Sequence, residues 1–172
     1  MKITELKKHL KGLSKDELVK EITGLYQKNH FVKDYYNTKY SSDNGASILI
    51  KHKEIIEHEF FPINGYGRAR LAVAKKAITE FRKLIKDAEL IADLMIFYVE
   101  TGVQYTDCYG DINESFYLSM EGMYERAVNF IMDHSLESIF KERCLKIVND
   151  TVNMGWGFHD QLGDTYYSYF DD

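Results

Sequence analysis

Apolar and polar residues alternate along this chain with the three- to four-residue spacing of amphipathic α-helices. The spacing is clearest over residues 68–86, which are predicted to form a helix with one apolar face. Residues 87–110 are predicted to form a central helix that runs into a loop of Tyr, Asp and Gly. The helix is apolar around most of its circumference, so it should have neighbours on nearly every side. Almost no linker separates these two helices, which predicts antiparallel neighbours. The polar residues of the central helix form a single seam: Glu89, Asp93, Glu100 and Gln104.

Further helices are predicted over residues 4–10, 14–29, 46–60, 113–134, 136–152 and 158–170. Ser14 and Glu17 have the spacing of a capping box, and Gly122 is a predicted point of close helix contact. The aromatic residues 31–36 either continue as helix or interrupt it. No segment alternates as a strand does. The predicted fold is all-α, a single-domain multi-helix bundle or short helical array of about seven to eight helices, with no sheet. Residues 1–40 are a candidate N-terminal subdomain, ending before a loop at residues 41–45.

Composition places the chain among globular proteins. Its 172 residues suit one domain, with 45% hydrophobic and 28% charged residues and a mean hydropathy of -0.38. We expect a cytoplasmic protein, because no apolar run could cross a membrane and the N-terminus has no signal-peptide pattern. The two cysteines are expected to be reduced thiols. The 13 tyrosines favour a groove or a partner surface, since a tyrosine can bury its ring and leave its hydroxyl in water.

Charge is segregated between neighbouring segments. Residues 68–86 hold seven Lys and Arg against one Glu, whereas residues 87–125 hold nine Asp and Glu and no Lys or Arg. One interpretation of the basic segment is an anion or nucleic-acid contact, with a glycine turn at a helix N-terminus to cradle phosphate. The alternative is a solvated outer face, and a pI near 5.7 argues against a nucleic-acid partner. The candidate anion-binding residues are Gly65, Gly67, Arg68 and Arg70.

The acidic end of the central helix is a candidate site for a cation or for carboxylate acid/base chemistry. Glu100, Asp107 and Asp111 lie there, and Asp107 and Asp111 are placed in a loop that could offer oxygen ligands to Mg²⁺ or Ca²⁺. The spacing does not fit an EF-hand. Alternatively, these carboxylates cap the following helix, pair with the basic segment or face water. No metal site and no cofactor is assigned from the sequence.

Residues 155–160 contain a second candidate. His159 and Asp160 follow Trp156 at the start of a helix, and a histidine beside a carboxylate could act as a general base or a ligand. The alternative is structural: glycines make the turn, Trp156 fills the core and Asp160 caps the helix. His52 and His58 are predicted to lie at the surface or on the flank of their helix. The chain contains no His-Glu-x-x-His and no Gly-x-Ser-x-Gly, so no catalytic motif is complete.

Several short segments carry a resemblance to a known family. They are residues 60–62, 69–78, 98–102, 109–111 and 155–160. On these segments the chain resembles, over nearly its full length, an uncharacterised family of bacterial proteins defined as a domain of unknown function. The resemblance implies a small, soluble, bacterial helical protein. It carries over no catalytic residues.

Two hypotheses about function follow. The first is a non-enzymatic helical module that binds a protein partner or a second copy of itself through its tyrosine-rich and charge-segregated surfaces. The alternative is an enzyme or ligand-binding protein, with a polar pocket where residues 100–111 meet residues 155–160 and with Arg70 or Arg143 supplying positive charge. The absence of a complete catalytic motif favours the first.

Overall fold

Helices make up all the regular structure in the part of the chain that is described. A computed structural model describes residues 1–40 and 45–170, which contain nine α-helices and no β-strand. The all-α prediction is therefore confirmed, while the predicted number of helices, about seven to eight, is slightly lower than the nine observed in those residues. The difference arises near the N-terminus, where both the short first segment and the aromatic third segment are helical. The helices are α1 (Ile3–Lys11), α2 (Lys15–Lys28), α3 (His30–Tyr40), α4 (Ala46–Phe60), α5 (Leu71–Leu84), α6 (Ala88–Tyr109), α7 (Glu114–Asp133), α8 (Glu137–Asp150) and α9 (Phe158–Phe170).

The chain divides into two compact units, Met1–Asn44 and Gly45–Asp172. Most of the loop given above as a boundary, residues 41–44, lies outside the described residues. Gly45 immediately precedes α4, and its φ of 93° is in the left-handed region that glycine adopts without strain. None of the described helices combines the length and the apolar character that a bilayer crossing needs.

The N-terminal unit consists of α1, α2 and α3. The capping box is confirmed, because Ser14 N donates to Glu17 Oε2 at 2.8 Å and Glu17 N donates to Ser14 Oγ at 3.3 Å. Helices α2 and α3 pack against each other, with the Tyr26 hydroxyl donating to Asn37 Oδ1 at 3.2 Å. The aromatic segment thus continues as helix, and it faces α2 through its polar and aromatic side chains.

Apolar residues of the N-terminal unit remain open to solvent. Neither α1 nor α2 contains a buried residue. On α2, Ile22 is 43% exposed and Leu25 is 53% exposed, although both belong to the apolar stripe of that helix. Ile3 on α1 is 70% exposed. The first two helices therefore present apolar surface that their own unit does not cover.

The second unit is built around α6, as the apolar pattern predicted. Helix α6 packs against α4, α5, α7 and α8, and half of its 22 residues are buried. It begins at a side-chain cap, since Asp87 Oδ1 accepts from the backbone N–H groups of Glu89 and Leu90 at 3.0 and 3.2 Å. The largest fully buried side chains of this unit include Phe60, Phe81, Tyr98, Phe116, Tyr117 and Tyr124.

The basic helix starts later than its spacing predicted. Helix α5 begins at Leu71 instead of residue 68. The reason is the backbone of Ala69, whose φ of 44° is left-handed and cannot continue a right-handed helix. The Ala69 N–H donates to the Glu59 carbonyl at 2.8 Å, outside any helix. Residues 61–70 are consequently an irregular segment that joins α4 to α5.

Two further predictions about single residues are wrong. Gly122 is not a close helix contact, because a Cβ added there would meet nothing within 4 Å. The close approach is at Gly102 on α6, where an added Cβ would lie 2.2 Å from Met120 Sδ. His52 is buried instead of lying at the surface, since its Nδ1 lies 2.8 Å from the Ile48 carbonyl oxygen and its ring packs on Phe81.

Candidate functional site

The polar seam of the central helix is occupied by an ion-pair network. Arg143 on α8 donates from Nε and Nη2 to the two carboxylate oxygens of Glu100, at 2.9 and 2.7 Å. Its Nη1 donates to Asp93 Oδ1 at 2.6 Å, and Lys53 Nζ on α4 lies 2.7 Å from Asp93 Oδ2. The four side chains are between 19 and 35% exposed. The network joins α4, α6 and α8 along one side of the unit.

This network neutralises two carboxylates of the seam, Asp93 and Glu100, with cations from neighbouring helices. Burial lowers the pKa of Arg143, but its hydrogen bonds to Glu100 and Asp93 outweigh that effect and raise the pKa above its usual range. The guanidinium is therefore always charged, and it occupies both oxygens of Glu100. Glu100 was a catalytic candidate. The structure holds it in a bidentate ion pair, the geometry in which arginine binds a carboxylate most strongly. The alternative hypothesis had named Arg143 as a source of positive charge, and the structure places it against Glu100.

A groove lies beside this network, between α6 and α8. Its volume is about 500 Å³, within the range of ligand-binding clefts. Val103 and Ile147 are its apolar lining residues, and both are nearly inaccessible to solvent. The remaining lining residues are Glu100, Gln104, Asp107, Lys146 and Asp150, with Lys146 ion-paired to Asp150. Three carboxylates against one ammonium give this groove, called the α6–α8 groove below, a negative lining.

The placement of Asp107 in a loop is wrong. Helix α6 continues to Tyr109, so Asp107 lies in its last turn, with Asp111 beyond the helix end. Both residues are exposed. Within the described part of the chain, no three His, Cys, Asp or Glu side chains are grouped so that they could hold a metal ion. The carboxylates do not cap α7 either, because Asn113 does so through its Oδ1, which accepts from Phe116 N at 3.1 Å.

The end of α6 does meet the glycine-rich turn before α9. The Tyr117 hydroxyl donates to Asp111 Oδ1 at 3.2 Å and lies 2.8 Å from Thr106 Oγ1. A Cβ at Gly155 would lie 3.5 Å from Asp111 Oδ2, and the ring of Trp156 stacks on that of Tyr117 at 6.2 Å between centroids. Residues 100–111 and 155–160 therefore approach each other at Asp111, through hydroxyl and aromatic contacts.

His159 has a different set of partners. Its Nδ1 lies 3.0 Å from the Val148 carbonyl oxygen and 3.1 Å from Thr151 Oγ1. A carbonyl oxygen only accepts, so this geometry places the proton on Nδ1. Among the described residues, none of Glu100, Asp111 and Asp160 is hydrogen-bonded to His159. The imidazole thus ties α9 to the end of α8. The acidic/histidine pocket stays a prediction, since its two segments meet at Asp111 but His159 is hydrogen-bonded to none of these three described carboxylates.

The structural alternative for this turn is also partly wrong. Trp156 is 59% exposed, so it does not fill the core, and its φ of 65° is unusual for a residue with a side chain. Gly157 follows with a φ of 68°, so two successive residues are left-handed. Asp160 is an exposed residue in the first turn of α9, and no backbone N–H is hydrogen-bonded to its side chain in the described structure. The buried aromatic residue of this segment is Phe158.

The candidate anion-binding residues lie in the segment between α4 and α5. Gly65 and Gly67 are not at a helix N-terminus, because α5 begins only at Leu71. Arg70 donates from Nε and Nη2 to the two carboxylate oxygens of Glu59, each at 2.7 Å. These hydrogen bonds lower the pKa of Glu59 further than its burial raises it. Glu59, which sequence reasoning did not single out, therefore fixes the guanidinium of Arg70.

The cysteines differ in environment. Cys144 is buried, and burial raises the pKa of its thiol to about 12, although Arg143 acts in the opposite direction. A thiol with so high a pKa is a poor nucleophile at neutral pH, because the thiolate is the reactive form. Cys108 is exposed on the last turns of α6.

We expect one fast-reacting thiol in the folded protein. A disulfide reagent such as Ellman's reagent should label Cys108 at once, and it should label Cys144 only when urea unfolds the chain, because burial blocks access and suppresses the thiolate. The measurement is the number of thiols released against time, with and without urea. Cys108→Ser should abolish the fast phase alone, and two fast thiols in the folded wild type would contradict the expectation.

Comparison with known proteins gives a family and no activity. A family model described as "Family of unknown function (DUF6155)" matches residues 1–171. No curated protein and no solved structure matches the chain. The function therefore has to be argued from the geometry above.

Proposed function

The chain belongs to the family of unknown function DUF6155, and we propose that it is an interaction module that associates with a second copy of itself. One observation carries the proposal: helices α1 and α2 bear apolar residues, yet neither has a buried residue. Isolated helices shorter than about 12–15 residues are marginal in water and gain stability mainly by packing an apolar face. Helix α1 has nine residues and α2 has 14, so both depend on a cover for that face.

Charge favours a second copy as that cover. Residues 1–40 hold nine Lys against five Asp and Glu, a net charge of +4, whereas residues 45–170 hold 13 Lys and Arg against 19 Asp and Glu, a net charge of −6. Two copies can therefore present surfaces of opposite sign to each other, which speeds association and suppresses wrong partners. Like-with-like packing of two basic N-terminal units would instead place cations together.

The α6–α8 groove is the receiving surface in this proposal. Of its three carboxylates, Glu100 is paired with Arg143 and Asp150 with Lys146, so Asp107 is the one whose charge can meet a lysine-rich helix. Asp107 is exposed and has no ion-pair partner among the described residues, so a lysine of a second copy could pair with it.

We expect light scattering after size exclusion to give twice the 20.1 kDa chain mass at micromolar concentration and low salt. The mass should fall toward one copy on dilution or above about 0.5 M salt, because screening weakens attraction between exposed charges. Ile22→Ser should shift the equilibrium toward the single copy, since it removes an apolar contact of α2. Asp107→Lys should do the same by reversing a groove charge.

Ile50→Ser is the matched control. Ile50 is an isoleucine on α4 that is 59% exposed, against 43% for Ile22, and it lies outside the proposed interface. Its variant should associate as the wild type does. A single copy at every concentration and salt, or equal behaviour of the two isoleucine variants, would overturn the proposal.

The setting of the protein is part of the same proposal. Both cysteines are free thiols, which suits a reducing compartment. We therefore place the protein in the cytoplasm and, on the family resemblance described above, in a bacterial cell.

A further inference from the structure

A second cleft, separate from the α6–α8 groove, lies between the end of α4 and the segment that leads to α5. Its volume is about 490 Å³. We propose that it binds a small oxyanion, a phosphate or a carboxylate, carried on a flat aromatic group. The cleft, called the α4–α5 cleft below, is lined by His58, Glu59, Pro62, Ile63, Asn64, Gly65, Tyr66, Arg68 and Arg70.

The wall of this cleft is held in place by contacts to the core. The Ala69 N–H donates to the Glu59 carbonyl at 2.8 Å, and the Tyr105 hydroxyl donates to the Gly67 carbonyl at 3.1 Å. Gly67 packs directly against α4, since an added Cβ would lie 1.8 Å from the Phe60 carbonyl oxygen. The segment is thus fixed at two positions, Gly67 and Ala69. A wall fixed in this way loses little conformational entropy when a ligand binds, which favours affinity.

Arg70 is positioned to contribute hydrogen bonds without contributing net charge. Glu59 accepts from its Nε and Nη2, and the carboxylate side chain is only 6% exposed. The Nη1 donors of Arg70 are not used in this pair, and the arginine side chain is 54% exposed. Glu59 therefore anchors a guanidinium whose remaining N–H groups can reach a ligand in the cleft.

Arg68 supplies the uncompensated charge. It is exposed, it lines the cleft, and it has no carboxylate partner among the described residues. Arg68 and Arg70 against Glu59 give the lining a net charge of +1 with His58 neutral. Two guanidinium groups line this cleft. Guanidinium groups are well suited to hydrogen-bond the oxygens of a phosphate or a carboxylate.

The aromatic part of the ligand is inferred from two other lining residues of the cleft. Tyr66 is 85% exposed and Ile63 is 95% exposed, so a flat face and an aliphatic side chain lie open beside the arginines. The Tyr66 ring is supported from one side by Tyr109, with 6.1 Å between ring centroids. A supported but exposed ring can stack on a second flat ring, and such a pair gains free energy beyond the area that it buries.

Binding of four small probes tests the inference: phenyl phosphate, inorganic phosphate, benzoate and phenol, each titrated into the full chain by calorimetry. We expect phenyl phosphate to bind, and phenol to bind at least tenfold more weakly, because charge-assisted hydrogen bonds are worth about 1.5–3 kcal/mol. Binding of inorganic phosphate without benzoate would assign a phosphate ligand. Binding of benzoate without phosphate would assign a carboxylate ligand.

Variants separate the two halves of the cleft. Arg68→Ala should weaken phenyl phosphate by about tenfold or more. Tyr66→Ala should weaken phenyl phosphate while leaving inorganic phosphate unchanged, since it removes only the stacking ring. Arg126→Ala is the matched control, because Arg126 is an exposed arginine of α7 outside the cleft lining. Both loop variants should keep the wild-type helical circular dichroism.

Three results would overturn the inference. They are an absence of heat for all four probes at millimolar concentration, phenol binding as tightly as phenyl phosphate, and equal affinity in the Arg68→Ala and Arg126→Ala variants. None of the probes bears on the exposed face of α2, so the calorimetry stands apart from the self-association measurement. Light scattering in saturating phenyl phosphate should give the same mass as without it.

Discussion

Replacing Gly102 by alanine should destabilise the protein, whereas the same replacement at Gly122 should stabilise it. At Gly102 the new Cβ would lie 2.2 Å from Sδ of Met120, a residue with no exposed surface. Met120 would have to move within a packed core, at a cost of about 1–3 kcal/mol. The alanine recovers about 0.5–1 kcal/mol of that cost, because glycine loses more conformational freedom than alanine when it enters a helix.

The Gly122→Ala variant measures the entropic gain of alanine without the steric cost. Gly122 also lies inside a helix, but an added Cβ there would meet nothing within 4 Å. Its alanine variant should therefore show only the gain, about 0.5–1 kcal/mol in the free energy of unfolding. The difference between the two variants isolates the steric cost. Urea titration followed by circular dichroism measures both, and a Gly102→Ala variant as stable as Gly122→Ala would contradict the close packing of α6 against α7.

The second large effect is expected on removal of Arg143. Arg143→Met leaves Asp93 and Glu100 without the guanidinium that now pairs with both. Breaking a buried pair from one side costs about 3–5 kcal/mol. These side chains are 19 to 35% exposed, so water screens the remaining charges, and we expect a loss of about 1–2 kcal/mol in the free energy of unfolding.

Two variants test whether geometry or charge carries this effect. Arg143→Lys keeps the positive charge but cannot donate to Glu100 and Asp93 together, so it should recover only part of the loss. Lys146→Met, on the same helix, removes a cation whose side chain is 71% exposed and which, among the described residues, is ion-paired with Asp150 alone. It should leave the urea midpoint unchanged. If Lys146→Met cost as much as Arg143→Met, the stabilisation would come from the general charge of α8 and not from the network.

The sequence located the helices well because their signals are local. The capping box joins Ser14 to Glu17, three residues later, and the apolar stripes recur every three or four residues. Each segment therefore contains the evidence for its own helix. The late start of α5 escaped prediction for the opposite reason. The left-handed backbone of Ala69 comes with a hydrogen bond to Glu59, ten positions earlier on another element.

The candidate sites show the same division. The polar seam of α6 was visible as a spacing of acidic residues, but its partner Arg143 lies 43 positions beyond Glu100. The acidic segment was predicted as one alternative to pair with the basic helix, whereas Asp93 and Glu100 pair with cations of α4 and α8. Glu59 was missed as the partner of Arg70, since a glutamate on an amphipathic helix has no local feature that marks it as buried.

The all-α class, the central position of residues 87–110 and the segregation of charge follow from the period of the apolar residues and from composition, so they could be read from the chain alone. The partners of the polar residues on the central helix could be seen only in the folded protein. The tertiary structure placed Glu100 in an ion pair, Asp107 beside a groove, and His159 against α8 instead of against the carboxylates. Those outcomes depend on how helices pack across the core, and no spacing within one helix encodes the position of another.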